Sequence, residues 1–217
     1  MACDKIYSKI LAEYLDIPTA KWIIADKNES MDEVKRRAES AIGFPMFIKP
    51  ATLGSSIGIF EVNNESDLLP ALDGARKFCD RILIEKKIDL QFEIECAILS
   101  LADKILISTG GRIFTDGKFY SYERKYSATG SPTATHVSEE SDYSNVVRDY
   151  ALRLATHIPV RHLARIDFFL SRDGRVIFNE INTIPGMTAT SLYPLLTTDM
   201  GLAQGEFINL LLREVTG

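Results

Sequence analysis

The sequence predicts an α+β protein of two lobes, and three observations carry that expectation. Short apolar runs and helical periodicities follow one another in the order α, β, α, β, β, α, β over the first 85 residues. A second, longer series of strand-like runs then follows with helices at its end, which implies a mainly antiparallel region. Between the two series, from about Glu85 to Leu90, a strand ends in a short charged connector. The lobes are therefore placed at residues 1–84 and 85–217.

Each element has a local reason. Asp4 is an N-cap for a helix reaching about Leu15, with Ile6, Ile10 and Tyr14 expected on its apolar face. Trp22–Ala25 reads as a strand, and Ser30 with Glu33 as a capping box opening a helix to about Ile42. Met46–Lys49 and Ile57–Val62 read as strands, followed by a helix from about Glu65 to Phe78 and a strand over Arg81–Glu85. Phe92–Leu101 and Ile105–Ser108 form a strand pair across Ala102-Asp103-Lys104. Gly110–Gly117 is rich in turn residues, and Thr129–Ser144 is expected to be a mobile loop. A helix over Val146–His157, a hairpin over Leu163–Asn182 and a final helix over Leu202–Val215 complete the chain.

Composition narrows the function. Hydrophobic residues make up 46% of 217, enough for a sizeable core, and the net charge of −5 argues against a nucleic-acid surface. Cys3, Cys79 and Cys96 are odd in number and unpaired in spacing, so neither a disulfide framework nor a zinc site is expected and a reducing cytoplasm fits. No apolar run approaches the length of a membrane span.

The chemistry concentrates in the hairpin. Glu180 and Asn182 are two apart, so on a strand they share a face. Asp173-Gly174 is a strong turn signal, and a hairpin closed there can bring Asp167 beside Glu180. Singly, such acidic residues usually cap turns or are solvated. Together they offer three hard oxygen ligands suited to Mg²⁺, with Arg165 adding a fork of donors for phosphate or a developing oxyanion. Gly54-Ser-Ser-Ile-Gly58 is neither a Walker A loop nor a dinucleotide fingerprint; alone it is more often a plain turn. Lys49 ends the preceding strand, so that lysine and loop together suggest a phosphate clamp. Lys5, Glu85 and Glu93 can each be read as an ordinary surface charge.

These residues resemble the D-alanine–D-alanine ligases of the ATP-grasp superfamily. The resemblance runs through Asp4-Lys5, Phe47-Ile-Lys-Pro50, Gly54–Gly58, Ile84-Glu-Lys86, Phe119-Tyr120 with Lys125-Tyr126, Arg165-Ile-Asp167 and Asn179-Glu-Ile-Asn-Thr-Ile-Pro-Gly-Met-Thr188 with Ser191, in the family's order. It implies an ATP-grasp fold in which ATP lies between two antiparallel lobes and Mg²⁺, or Mn²⁺ in its place, bridges the phosphates. By the resemblance, Lys5 and Lys49 contact phosphates, Glu85 accepts from the adenine amino group, Lys86, Lys87 and Ile88 line the hinge, and Glu93 holds the ribose. Phe119 packs on adenine, Phe178 joins the nucleotide site and Lys125 reaches the γ-phosphate. Asp167, Glu180 and Asn182 bind a pair of Mg²⁺ ions, and Arg165 with the Gly186 N–H stabilises the tetrahedral oxyanion. Ser55, Tyr126 and Ser191 line the amino-acid site.

The implied activity is ATP-dependent joining of two D-alanines for peptidoglycan, in the cytoplasm, and a homodimer is compatible with it. The family's members carry a further N-terminal domain that holds the first D-alanine's ammonium, so a fragment, or a chain completed by a separate domain, is expected. A nucleotide-binding module without ligase activity of its own, or a ligase for another carboxylate and amine, remains open. The segment Lys87–Phe92 also departs from the family's pattern by one extra residue and a missing glycine.

Overall fold

A computed structural model describes residues 2–113, 134–135, 143–188 and 191–216. Helices α1 (Lys5–Tyr14), α2 (Met31–Ala41) and α3 (Glu65–Arg76) are interspersed with strands β1 (Trp22–Asp26), β2 (Met46–Pro50), β3 (Phe60–Val62) and β4 (Arg81–Lys86). Strands β5 (Leu90–Ser100), β6 (Ile105–Ile107), β7 (Gly111–Ile113) and β8 (Ala134–Thr135) follow. Helix α4 (Ser144–His157), strands β9 (His162–Ser171) and β10 (Val176–Asn182), and helices α5 (Leu192–Asp199) and α6 (Gln204–Thr216) end the chain. Two antiparallel sheets result. One has the order β1-β4-β2-β3, the other β10-β9-β5-β7-β8 with β6 also paired to β5.

Each sheet is covered according to its strand alternation. On β5 and β9, Phe92, Ile94, Cys96, Ile98, Ala164, Ile166, Phe168 and Leu170 face one way and pack with Ala12, Leu15 and Ile17 from the α1 region and with Val147, Ala151 and Leu154 of α4. On the opposite face, Ala97, Leu99 and Ile113 meet Leu192, Tyr193 and Leu196 of α5 and Phe207 of α6. The first sheet buries Ala25, Ile48, Val62 and Ile84 against Val34 and Ala38 of α2 and Leu68 and Leu72 of α3.

Several local expectations change in the folded chain. Helix α1 starts as Asp4 predicts, with its side chain accepting from the Ile6 and Tyr7 N–H groups. Its buried face, however, carries Lys5, Ile6, Ser8, Lys9 and Ala12, while Ile10 and Tyr14 are exposed. The helix lies over charged groups, so its lysines turn inward. Ser30 opens α2 without any side-chain cap bond, so the expected capping box is absent there. The strand expected from Ile57 begins only at Phe60, because Ser55, Ser56 and Gly58 adopt left-handed φ of 54°, 60° and 70° and keep the chain in turns.

Part of the turn-rich Gly110 segment is strand β7; a Cβ on Gly111 would lie 2.7 Å from Leu192, so the glycine admits α5 close to the sheet. Helix α5 has no counterpart in the sequence reading. Pro194 falls in its first turn, where proline is tolerated, and Tyr193 anchors it by donating to the Ile98 carbonyl at 2.7 Å. Within the segment expected to be a mobile loop, Ala134–Thr135 pairs with β7 as β8; residues 136–142 lie outside the described residues.

Phe168 is fully buried, with Phe178 edge-on at 6.1 Å and Tyr150 at 6.4 Å. Phe168→Ala should cost about 3–5 kcal/mol in urea unfolding, whereas Tyr14→Ala, at a site 78% exposed, should stay within about 0.5 kcal/mol. Equal effects of the two substitutions would mean that this face of the second sheet is not a packed core.

Candidate functional site

The hairpin of β9 and β10 sets the centre of the site. Its turn closes at Gly174, with φ +83°, whose N–H donates to the Ser171 carbonyl. From there Leu170 pairs with Val176 and Phe168 with Phe178, a register that would put Asn179 opposite Asp167. A bulge between Phe178 and Glu180 slides the pairing by one, so Glu180 lies opposite Asp167 and Asn182 opposite Arg165. The bulge reverses the alternation. Phe178 stays on the core face, while Glu180 turns to the other.

The same shift corrects the assignment of Phe178 to the nucleotide site. Its ring is fully buried in the core against Phe168, and it is Asn179, the extra residue of the bulge, that faces the cleft. Asn179 opens the Asn179–Thr188 motif, but the resemblance implies no role for it. A shifted parity cannot be read from a hairpin's sequence unless the bulge is known.

The cleft opens between the two sheets. Its walls include Lys5, Lys49, the Gly54–Ser56 turn, Glu93, Glu95, Arg165, Asp167 and Glu180. The cleft residues of β5 and β9 lie on the same face as Ala97 and Leu99, which pack with α5 and α6. Arg165 holds Asp167 in a two-pronged grip, with Nε and one terminal nitrogen each at 2.7 Å from a carboxylate oxygen, and its other terminal nitrogen lies 3.3 Å from Glu95. Burial disfavours the guanidinium's charge, but Asp167 and Glu95 outweigh it and raise the pKa. Glu95 was missed in the sequence; its only signal is that it follows Glu93 by two residues and so shares its face of a mainly apolar strand.

Helix α1 supplies the cations beneath the cleft. The Lys5 ammonium lies 3.0 Å from Glu180 and donates to the Leu53 carbonyl, while the Lys5 N–H donates to Ala51 and ties the helix start to the loop after β2. One turn later Lys9 reaches Glu85 at 2.9 Å, and Lys49 pairs with the other Glu85 oxygen. Lys49 also lies 3.5 Å from the Asn179 side-chain oxygen and stacks near the rings of Phe47 and Phe169. Burial opposes ionisation of Glu85, but the two ammonium groups prevail and hold its carboxyl down at about 2.

The remaining sequence candidates divide into four groups. Ser55 and Glu93 line the cleft. Lys86 and Lys87 direct their ammonium groups elsewhere, Lys86 to the Phe44 carbonyl at 2.7 Å and Lys87 to Glu61 at 2.7 Å, and neither they nor Ile88 are among the cleft walls. Asn182, Gly186 and Ser191 lie beyond the cleft walls. The Asn182 side chain accepts from the Ile184 N–H, and Ser191 Oγ accepts from the Thr188 N–H and sits where a Cβ on Gly186 would be, at 2.7 Å. Phe119, Lys125 and Tyr126 lie outside the described residues.

Asp167 and Glu180, cross-strand neighbours with Asn182 on the same face, are hard oxygen donors that fit a Mg²⁺ ion sharing its shell with phosphate oxygens. Among the described residues no three His, Cys, Asp or Glu side chains form a cage for a metal by themselves. The set therefore suits an ion that arrives with an anionic ligand.

Comparison with known proteins agrees with this architecture. The family model described as D-ala D-ala ligase C-terminus matches residues 11–213. A D-alanine–D-alanine ligase of Lactococcus lactis subsp. lactis is 35% identical over 205 residues, covering 94% of this chain and 58% of the relative. One of Caldicellulosiruptor bescii is 37% identical over 213 residues, covering 96% and 58%. Among solved structures, D-alanyl-alanine synthetase A from Vibrio cholerae superposes with a TM-score of 0.83 at 32% identity, over 100% of this chain and 66% of that one. The VanG D-Ala:D-Ser ligase from Enterococcus faecalis gives 0.82 at 25% identity, over 98% and 61%. The chain thus spans about three-fifths of the length of these curated relatives.

The Glu85 contribution to stability has a defined pH window. Its folded pKa of about 2 lies below the ordinary 4.5, so the stabilisation is complete above the ordinary value and is lost as pH falls through about 2. Glu85→Gln should therefore cost about 3 kcal/mol at pH 7, and the gap to the parent should close between about pH 5 and pH 2. Urea unfolding of both proteins across that range checks it, and a gap independent of pH would reject the ion-pair account.

Proposed function

Because the chain belongs to the family of D-alanine–D-alanine ligase C-terminal domains, we propose that it forms the ATP-grasp part of a ligase making D-alanyl-D-alanine for peptidoglycan. The observation that carries this reading is the cleft between two antiparallel sheets, where Lys5, Lys49 and Arg165 alternate with Glu95, Asp167 and Glu180. Such interleaving suits a polyanion that binds with a divalent cation. The anion takes the lysines and the cation takes the carboxylates.

In the reaction, a carboxylate oxygen of the first D-alanine attacks the γ-phosphorus of ATP and ADP departs, leaving an acyl phosphate. The amine of the second D-alanine then adds to the acyl carbon, and the tetrahedral intermediate expels phosphate while the amine loses a proton. Lys5 and Lys49 hold the phosphates, and the backbone of the Gly54–Gly58 turn closes on them. Glu85 accepts from the adenine amino group, Lys86 to Ile88 edge the base, and Glu93 holds the ribose. Phe119 stacks on the base, and Lys125 engages the γ-phosphate. Arg165 and the Gly186 N–H face the oxyanion, and Ser55, Tyr126 and Ser191 contact the amino acids.

Asp167, Glu180 and Asn182 would hold a pair of Mg²⁺ ions, or Mn²⁺, which when bound neutralise charge on the transferring phosphoryl group. The ammonium of the first D-alanine is held by the part of the ligase that this chain does not span. A cytoplasmic location follows from the need for ATP; among the described residues no helix is long and apolar enough to cross a membrane.

Mg·ATP at about 100 times its Kd should stabilise the 217-residue chain by about 2.7 kcal/mol, read as a rise in Tm. Glu180→Gln and Asn182→Ala should each remove the Mg²⁺-dependent part of that rise while ATP alone still binds. Phosphate release that depends on D-alanine, assayed with and without the N-terminal portion of a relative, reads the reaction itself. An absent ATP effect, or one indifferent to Mg²⁺ in the parent, would overturn the assignment.

A further inference from the structure

Lys9 has no part in the reaction above, yet it is 1% exposed and pairs with a carboxylate that is 2% exposed. Buried lysines are rare and need a compensating charge. The compensation here is shared. Glu85 gives one oxygen to Lys9 at 2.9 Å and the other to Lys49, so two cations and one anion form a buried triad of net charge +1. Only Lys49 of the three faces the cleft. The three come from separate elements, α1, β4 and β2.

Building on the nucleotide reading, we propose that Lys9 is a positioning residue for Lys49, holding the charge of Glu85 so that the Lys49 ammonium can turn to a nucleotide phosphate. Without Lys9, the triad would be a neutral Lys49–Glu85 pair. Any movement of Lys49 towards phosphate would then leave a buried carboxylate uncompensated, a strongly unfavourable state. With Lys9 in place, Glu85 keeps a partner when Lys49 leaves, and the net positive charge at the cleft floor is preserved. Lys9 thus acts on the phosphates only through Glu85 and Lys49.

The role is specific to phosphate, which supplies the test. Lys9→Met and Lys9→Gln remove the charge, and glutamine retains a hydrogen-bond donor for Glu85 should methionine prevent folding. Urea unfolding establishes that each variant is folded, and competition binding compares ATP with adenosine. Both neutral variants should bind ATP about tenfold or more weakly and lose less affinity for adenosine, which meets Glu85 but not Lys49, and Lys9→Arg should restore ATP affinity. Equal losses for ATP and adenosine, or unchanged ATP affinity in a folded Lys9→Gln protein, would overturn the proposal. Failure of the parent to bind ATP would instead strike at the nucleotide reading itself.

Discussion

Two lysines one turn apart on α1 constrain most of this structure. Lys5 reaches Glu180 on the edge strand of the second sheet, and Lys9 reaches Glu85 in the interior of the first. A buried charge must meet its partner at short range or the fold loses several kcal/mol. The helix, β4 and β10 therefore cannot shift independently. The same helix contributes Ala12 to the apolar core of the second sheet, and its first N–H to the loop after β2. It is thus tied to both sheets, by apolar packing through Ile6 on the first and Ala12 on the second and by an ion pair to each.

The cleft follows from incomplete cover over an alternating strand pair. On β5, one face is apolar from Phe92 to Ile98, while the other passes from Glu93 and Glu95 to Ala97 and Leu99. The apolar end of that face requires helices, and α5 and α6 supply them. The charged end would be penalised under a helix and instead forms the cleft wall. The bulge at Asn179 then brings Glu180 onto that wall opposite Asp167, which a regular ladder would have turned into the core.

Charge in the cleft is balanced locally rather than by sign across its walls. Arg165 sits between Asp167 and Glu95, Lys5 against Glu180, and Lys49 against Glu85. Under the proposed function this arrangement keeps a low-dielectric site stable while retaining groups of both signs for an anionic nucleotide and its metal. The left-handed serines Ser55 and Ser56 place a turn directly above these groups, at a backbone cost of about 1–2 kcal/mol each. Their strain coincides with the point at which backbone N–H groups would approach phosphate.

Local chemistry made much of this legible in advance. Asp4 as an N-cap, Asp173-Gly174 as a hairpin turn, and Glu180 and Asn182 on a common face all depend on neighbours in the chain, so the residues themselves determine them. The family resemblance likewise rests on contiguous motifs. What tertiary structure alone decided depends on distant partners. The inward face of α1 takes in Lys5 and Lys9 beside Ile6 because carboxylates of β4 and β10 lie beneath it, while Ile10 and Tyr14, which periodicity places with Ile6, are exposed. Helix α5 forms because Tyr193 and Leu196 find a sheet to bury against. Asn179 rather than Phe178 enters the cleft because a bulge changed the parity of β10. Sequence determines which groups a segment can offer; which of them meet a partner, and so become buried, paired or catalytic, is set by long-range packing that no local pattern encodes.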